Sequence, residues 1–222
     1  MTEYFNNIKD VVENIDPENI YNYDETNVTD DPGSTRVERV QEHSKMAISL
    51  MMCGNAAGTL LPPFVVYKAQ NLYENWVARG PAGVKYAATK SGWFDMETFE
   101  RWFFEIFIPH TADKPGVKVL VRDNLASHFS VDVVNKAKEA NIYFTSLPPN
   151  TTHLTQPLDV AFFRPAKIMW KSILDKWRVE SRLQGTIPKE IFPSLLLSLL
   201  NQLKPNTPKN LASGFRACGL CP

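Results

Sequence analysis

Three aspartates, Asp24, Asp123 and Asp159, could do chemistry that none of them could do alone. Asp24 follows the strand-favouring residues Ile20, Tyr21 and Tyr23, and Asp123 follows the apolar run of Val117, Val119, Leu120 and Val121, which Pro115-Gly116 introduces. Asp159 opens a long helical pattern. Taken singly, each has an ordinary structural role open to it, because Asp caps turns and helix starts. Taken together, three converging carboxylates repel one another unless divalent cations fill the gap. Two such ions about 4 Å apart can activate a water or a 3′-hydroxyl and stabilise the leaving oxygen of an in-line phosphoryl transfer. That chemistry belongs to a nuclease or a strand transferase.

The elements that must position these acids can be read from periodicity. Residues 1–18 have helical spacing of apolar residues up to Pro17 and form an N-terminal helix or remnant linker. A strand then runs over Asn19–Val28, interrupted at Asp24-Glu25. MAISLMMC and LLPPFVVYK read as a hairpin turned by GNAAG, and residues 70–93 as a loop with one short strand. Asp95–Ile108 starts with an N-cap Asp, and its aromatic face belongs in the core. A buried strand to Val121, a helix over Val131–Ala140 and a strand over Ile142–Leu147 follow. Helices are expected over Leu158–Leu183, Ile187–Leu203 and Thr207–Ala217. This order predicts an α/β fold: a ribonuclease H-like mixed sheet flanked by helices over 19–222, with 185–222 as a helical C-terminal part. In such a sheet the first and fourth strands are neighbours, so Asp24 and Asp123 would meet, and the helix after the fifth strand would bring Asp159 to the same end.

Composition sets limits on the rest. With 44% hydrophobic and 22% charged residues the chain is a globular one, and its most apolar stretch, Ile191–Leu203, is too short to span a bilayer. Three cysteines point to a reducing compartment, and the single Cys218-x-x-Cys221 pair lacks the further ligands of a zinc site. Net charge is zero, yet residues 1–159 hold 14 Lys+Arg against 21 Asp+Glu and residues 160–222 hold 10 against 3. A basic region of that kind either meets an anionic partner or compensates the acidic region internally.

Four segments carry a resemblance: NYDETNV at 22–28, VRDNLASH at 121–128, LPPNTTHLTQPLDVAFFRPAK at 147–167 and SGFRACGLCP at 213–222. In this order they are similar to the successive motifs of the DDE superfamily endonucleases, in the branch of pogo, Tigger and jerky-type transposases and centromere protein B. The resemblance implies that Asp24, Asp123 and Asp159 are the catalytic, metal-holding acids. It further implies two Mg²⁺ or Mn²⁺ ions, bound together with DNA, and action in the nucleus. Glu25, Asn124 and His128 belong to the matched motifs and could orient ligands or water, with capping and turn roles equally open. His153 and Gln156 either serve the site or fix the loop before Asp159. Lys167, Lys171, Arg178 and Arg182 partly share a helix face that could contact phosphates or simply be solvated. Relatives carry helix-turn-helix recognition domains upstream, and about 18 residues precede the first motif here, so a sequence-recognition domain is expected to be absent. Three readings follow: an active nuclease or transposase core, a domesticated, catalytically silent protein that binds nucleic acid or protein, or an unrelated α/β metal hydrolase, against which the singly scattered His43, His110, His128 and His153 argue. Assembly into a homo-oligomer is left open.

Overall fold

Strand alternation sorts the apolar residues of this chain onto two faces of one sheet. The computed structural model describes residues 12, 14–29, 47–122, 129–147, 155–182 and 186–221. Its strands are β1 (Ile20–Thr29), β2 (Ala47–Asn55), β3 (Phe64–Lys68), β4 (Lys85–Thr89), β5 (Lys118–Arg122) and β6 (Ile142–Ser146). Tyr21, Tyr23, Met51, Cys53, Phe64, Val66 and Leu120 point to one side. Val28, Ile48, Leu50, Met52, Val65 and Tyr67, with Ile20, Val119 and Val121, point to the other. Since side chains alternate with period two, each face needs its own layer of helices.

The first face is covered by one aromatic helix. It begins as α1 (Met96–Trp102), passes through a π-helical segment (Phe103–Phe107) and ends as α2 (Ile108–Thr111). Asp95 caps it: Thr98 N–H donates to Asp95 Oδ1 (2.9 Å), and Asp95 N–H donates to Thr98 Oγ1 (2.8 Å). Phe99, Trp102, Phe103, Ile106 and Phe107 are all fully buried, as the aromatic stripe predicts. Helix α3 (Val131–Glu139), capped by Ser130, completes this layer with Val133 and Ala137. The second face receives a π-helical turn (Leu158–Phe162) and α4 (Phe163–Ser181), then α5 (Phe192–Leu203) and α6 (Thr207–Ala217). In both π-helical stretches the closing bond skips an extra residue, with Ile108 N–H reaching Phe103 O and Phe163 N–H reaching Leu158 O. A proline follows each, Pro109 and Pro165, and neither has an N–H to continue the ordinary ladder.

The sheet order is β4-β3-β2-β1-β5-β6. β1, β2 and β3 pair antiparallel, while β5 lies parallel to β1 and β6 parallel to β5. These five strands have the ribonuclease H-like arrangement, and β4 adds a sixth at the edge, parallel to β3. The short strand expected within 70–93 is β4.

Several boundaries differ from the sequence reading, each for a local reason. Asp24-Glu25 does not interrupt β1: the strand continues to Thr29 because β2 pairs with it from Tyr21↔Asn55 to Thr29↔Ala47. β2 runs on through Gly54-Asn55, and the turn falls later, where Asn55 Oδ1 accepts from Thr59 N–H (2.7 Å). β3 starts only after Pro62-Pro63, which cannot donate to a ladder. α5 starts at Phe192 rather than Ile187, with Pro193 in its first turn. The helix expected over 1–18 lies mostly outside the described residues.

The reciprocal cap at Asp95 is the testable element here. Asp95→Ala removes it, and we expect a loss of about 1 kcal/mol in unfolding free energy, read as a lower guanidinium midpoint at unchanged slope.

Candidate active site

A single buried amide joins the elements that carry the acids. Asn22 on β1 is fully buried, and its Nδ2 donates to the carbonyl of Val121 on β5 (3.1 Å) and, more weakly, to Tyr23 O (3.4 Å). Its Oδ1 accepts from the N–H of Leu158, at the start of the π-helical turn (3.1 Å). Asp24 follows Asn22 by two positions on the same strand face, and Asp159 follows Leu158 directly. Asp24 is half-buried and its Oδ1 accepts from the Glu25 N–H (2.8 Å); Asp159 is exposed. The structure therefore links the Asp24 strand to the Asp159 turn. Asp123 is the residue after Arg122, which ends β5; together with Asn124 and His128 it lies outside the described residues, as does His153. Among the described residues, no three His, Cys, Asp or Glu side chains group as a metal cage.

The turn that presents Asp159 is held from its far side as well. Gly214 of α6 lies so close to it that a Cβ there would stand 2.5 Å from the Pro157 carbonyl oxygen and 3.3 Å from Ala161 Cβ. Only glycine allows that approach. Gln156 is fully buried beside the turn, and neither of its amide atoms has a partner among the described residues, although its carbonyl accepts from Val160 N–H (3.0 Å). Glu25, by contrast, falls on the opposite face of β1 from Asp24, since the antiparallel register with β2 is unbroken through both. On the first face, the Arg122 guanidinium stacks over Phe129 at 4.1 Å.

Helix α4 leaves the site carrying basic residues. Trp170 fastens it to β1, its indole N–H donating to Thr29 O (3.1 Å). Lys167 and Lys171 are exposed, and so is Arg164, which shares their face at spacings of three and seven and which the sequence reading missed. Arg178 is half-buried and 3.9 Å from Asp175, and Arg182 ends the helix in the left-handed conformation (φ 56°). The expected patch is thus concentrated at the end of α4 nearer Asp159.

Asn22 also escaped the sequence reading. Its one signal was an Asn inside an otherwise apolar and aromatic strand run, where Asn is normally disfavoured.

Residues 45–201 match the family model described as DDE superfamily endonuclease. The chain belongs to that family. The match contains Asp123 and Asp159 and begins after Asp24. Among curated proteins the chain is 29% identical over 219 residues to "MFS-type transporter clz9" of Cochliobolus lunatus, covering 92% of this chain and 23% of that protein. It is 29% identical over 127 residues to "Pogo transposable element with ZNF domain" of Homo sapiens, covering 57% of this chain and 9% of that one. The chain therefore spans less than a quarter of either relative, and among its described residues no helix is long and apolar enough to cross a membrane. Among solved structures the chain is similar to the "Mos1 transposase paired-end complex with left transposon end", with a TM-score of 0.48, 12% identity, and coverage of 96% of this chain and 61% of that one.

The cysteines give a direct probe of packing around Asp159. Burial, and after it the charge of Asp159, pushes the Cys218 thiol up to about 12; burial also raises Cys53. Both stay protonated and shielded at neutral pH, while Cys221 is partly exposed. Iodoacetamide at pH 8 should modify Cys221 in the native protein and leave the other two unlabelled by mass spectrometry.

Proposed function

We propose that this chain is the catalytic core of a transposase-derived DNA endonuclease, which cuts and joins phosphodiester bonds with two divalent ions held by Asp24, Asp123 and Asp159. The observation that carries this reading is the register of β1 on β5. Ile20, Tyr21 and Asn22 pair with Val119, Leu120 and Val121, an offset of 99. Asp24 and Asp123 stand at that same offset in the sequence. Asp24 shares its face of β1 with Ile20 and Asn22, the face that receives the Leu158 turn, and Asp123 stands in the sequence two positions after Val121, which lies on that face.

The donor set suits a hard cation. Carboxylate oxygens from a strand and from a helix start match Mg²⁺ or Mn²⁺, which is commonly held by one or two carboxylates with substrate phosphates completing the coordination. When bound, such ions supply an activated water and charge stabilisation at the leaving oxygen. The protein's part is to hold the three carboxylates at one sheet end, with Asn124 and His128 beside Asp123 in sequence to orient water or ligand. Arg164, Lys167 and Lys171 on α4 would neutralise phosphates along the strand being cut, a contact that carries no base information. Action on chromosomal DNA makes the nucleus its place of work.

Two experiments test the reading. In Mn²⁺ the purified chain should nick supercoiled plasmid, and Asp24→Asn, Asp123→Asn and Asp159→Asn should each return nicking to the level seen with EDTA. Undiminished nicking in the variants would remove the site assignment, whereas no nicking in any form would favour the catalytically silent reading. For the basic face, Lys167→Glu combined with Lys171→Glu should weaken DNA binding equally for unrelated sequences. The slope of log K against log salt should fall in magnitude by about 2, at about 0.9 per lost phosphate contact, as followed by fluorescence anisotropy.

A further inference from the structure

We propose that Asn22 is the positioning residue of this site, the group that sets the spacing between the strand bearing Asp24, the strand leading to Asp123 and the turn bearing Asp159. The proposal rests on the metal-dependent reading above and names the residue on which metal affinity depends. Asn22 uses one short side chain to join three separate parts of the chain. Its amide N–H reaches Val121, 99 positions away and two before Asp123. Its amide oxygen takes the N–H of Leu158, 136 positions away and one before Asp159. The backbone of Asn22 itself leads to Asp24 two residues on. Each contact is therefore within two residues of a carboxylate that would hold metal.

Side-chain chemistry leaves little freedom in how this is done. The first N–H groups of a helical segment have no acceptor inside it, so Leu158 needs an oxygen from elsewhere, and Asn22 supplies one from the sheet. The Val121 carbonyl needs a donor at the point where β5 ends. Asn offers one acceptor and a donor pair in a fixed plane. Leu keeps the volume and loses both bonds, and Asp keeps the acceptor but turns an oxygen toward the Val121 carbonyl. Because both partners are buried, any displacement of the turn leaves polar groups unpaired, which is why the amide fixes a geometry as well as adding stability.

A merely structural role would look different, and the molecule contains its own control. Asn55, the last residue of β2, pairs with Tyr21 and is equally buried; its side chain also makes two bonds, donating to Glu18 O (3.1 Å) and accepting from Thr59 N–H (2.7 Å), neither of them within two residues of Asp24, Asp123 or Asp159. Asn22→Leu and Asn55→Leu should therefore lower the thermal midpoint to a similar extent. They should part on metal. Mn²⁺ affinity, measured from the paramagnetic resonance of free Mn²⁺ with a short DNA duplex present, should fall about 10- to 100-fold in Asn22→Leu and stay at the wild-type value in Asn55→Leu. If Asn22→Leu does not fold, Asn22→Asp, which keeps the acceptor for Leu158 N–H and puts a carboxyl oxygen in place of the donor to Val121 and Tyr23, carries the same expectation. Wild-type affinity in the folded Asn22 variant, or an equal loss in Asn55→Leu, overturns the proposal alone. A wild-type chain that takes up no more Mn²⁺ than Asp24→Asn or Asp159→Asn overturns the metal-dependent reading and the proposal with it.

Discussion

The parallel pairing of β1 with β5 is the constraint from which the rest of the molecule follows. Antiparallel strands can be closed by a two-residue turn, but parallel neighbours need a long crossover. Here the crossover runs from Thr29 to Lys118, and it builds the antiparallel half of the sheet and the aromatic helix before returning. Because β5 is buried along its whole length, the two faces must be roofed by different helices. One roof is aromatic and comes from the crossover itself. The other comes from the C-terminal third of the chain and brings the Asp159 turn with it.

That second roof meets the sheet through polar as well as apolar contacts. Leu158 and Phe162 bury against the β1–β2–β3 face, Leu211 packs behind them, and Asn22 supplies the directional bond. Hydrophobic contact alone would tolerate a sliding turn, since apolar packing has no preferred direction. The amide and the glycine at 214 together remove that freedom, one from within the sheet and one from α6. Charge is distributed along the same division. The acidic part of the sequence contains β1 and β5, and the basic part contains α4, so the helix that covers the second face of the sheet carries its exposed cations from Arg164 on, shortly after Asp159.

Much of this was legible in the sequence because it depends on periodicity and local chemistry. The aromatic stripe from Phe99 to Phe107, the Asp95–Thr98 cap and the alternating runs of β2 and β3 each encode their element within a dozen residues, and the DDE motifs appear in order. What escaped was non-local. No window around Asp24-Glu25 shows that β2 is long enough to carry β1 past two charges. Asn22 reads as a weak strand residue until Val121 and Leu158 are known to surround it. Arg164 joins the basic face only once α4 has a defined exposed side, and Glu25 leaves the face of Asp24 only once the register is fixed. Tertiary contacts decided each of these.

The packing around Ile20 has a consequence for how the protein is made. Ile20 and Val119 share their cluster with Phe215, Cys218 and Leu220, so residues 200 positions apart complete one piece of core. Synthesis proceeds from the N-terminus at roughly 5–20 residues per second, and β1 emerges long before α6. For many seconds after its emergence the central strand has one face without its cover, and contacts of such long range form slowly. The nascent sheet keeps that face uncovered until the segment from Phe215 to Leu220 has emerged, and the same helix that steadies the Asp159 turn, with the residues just after it, ends that exposed interval.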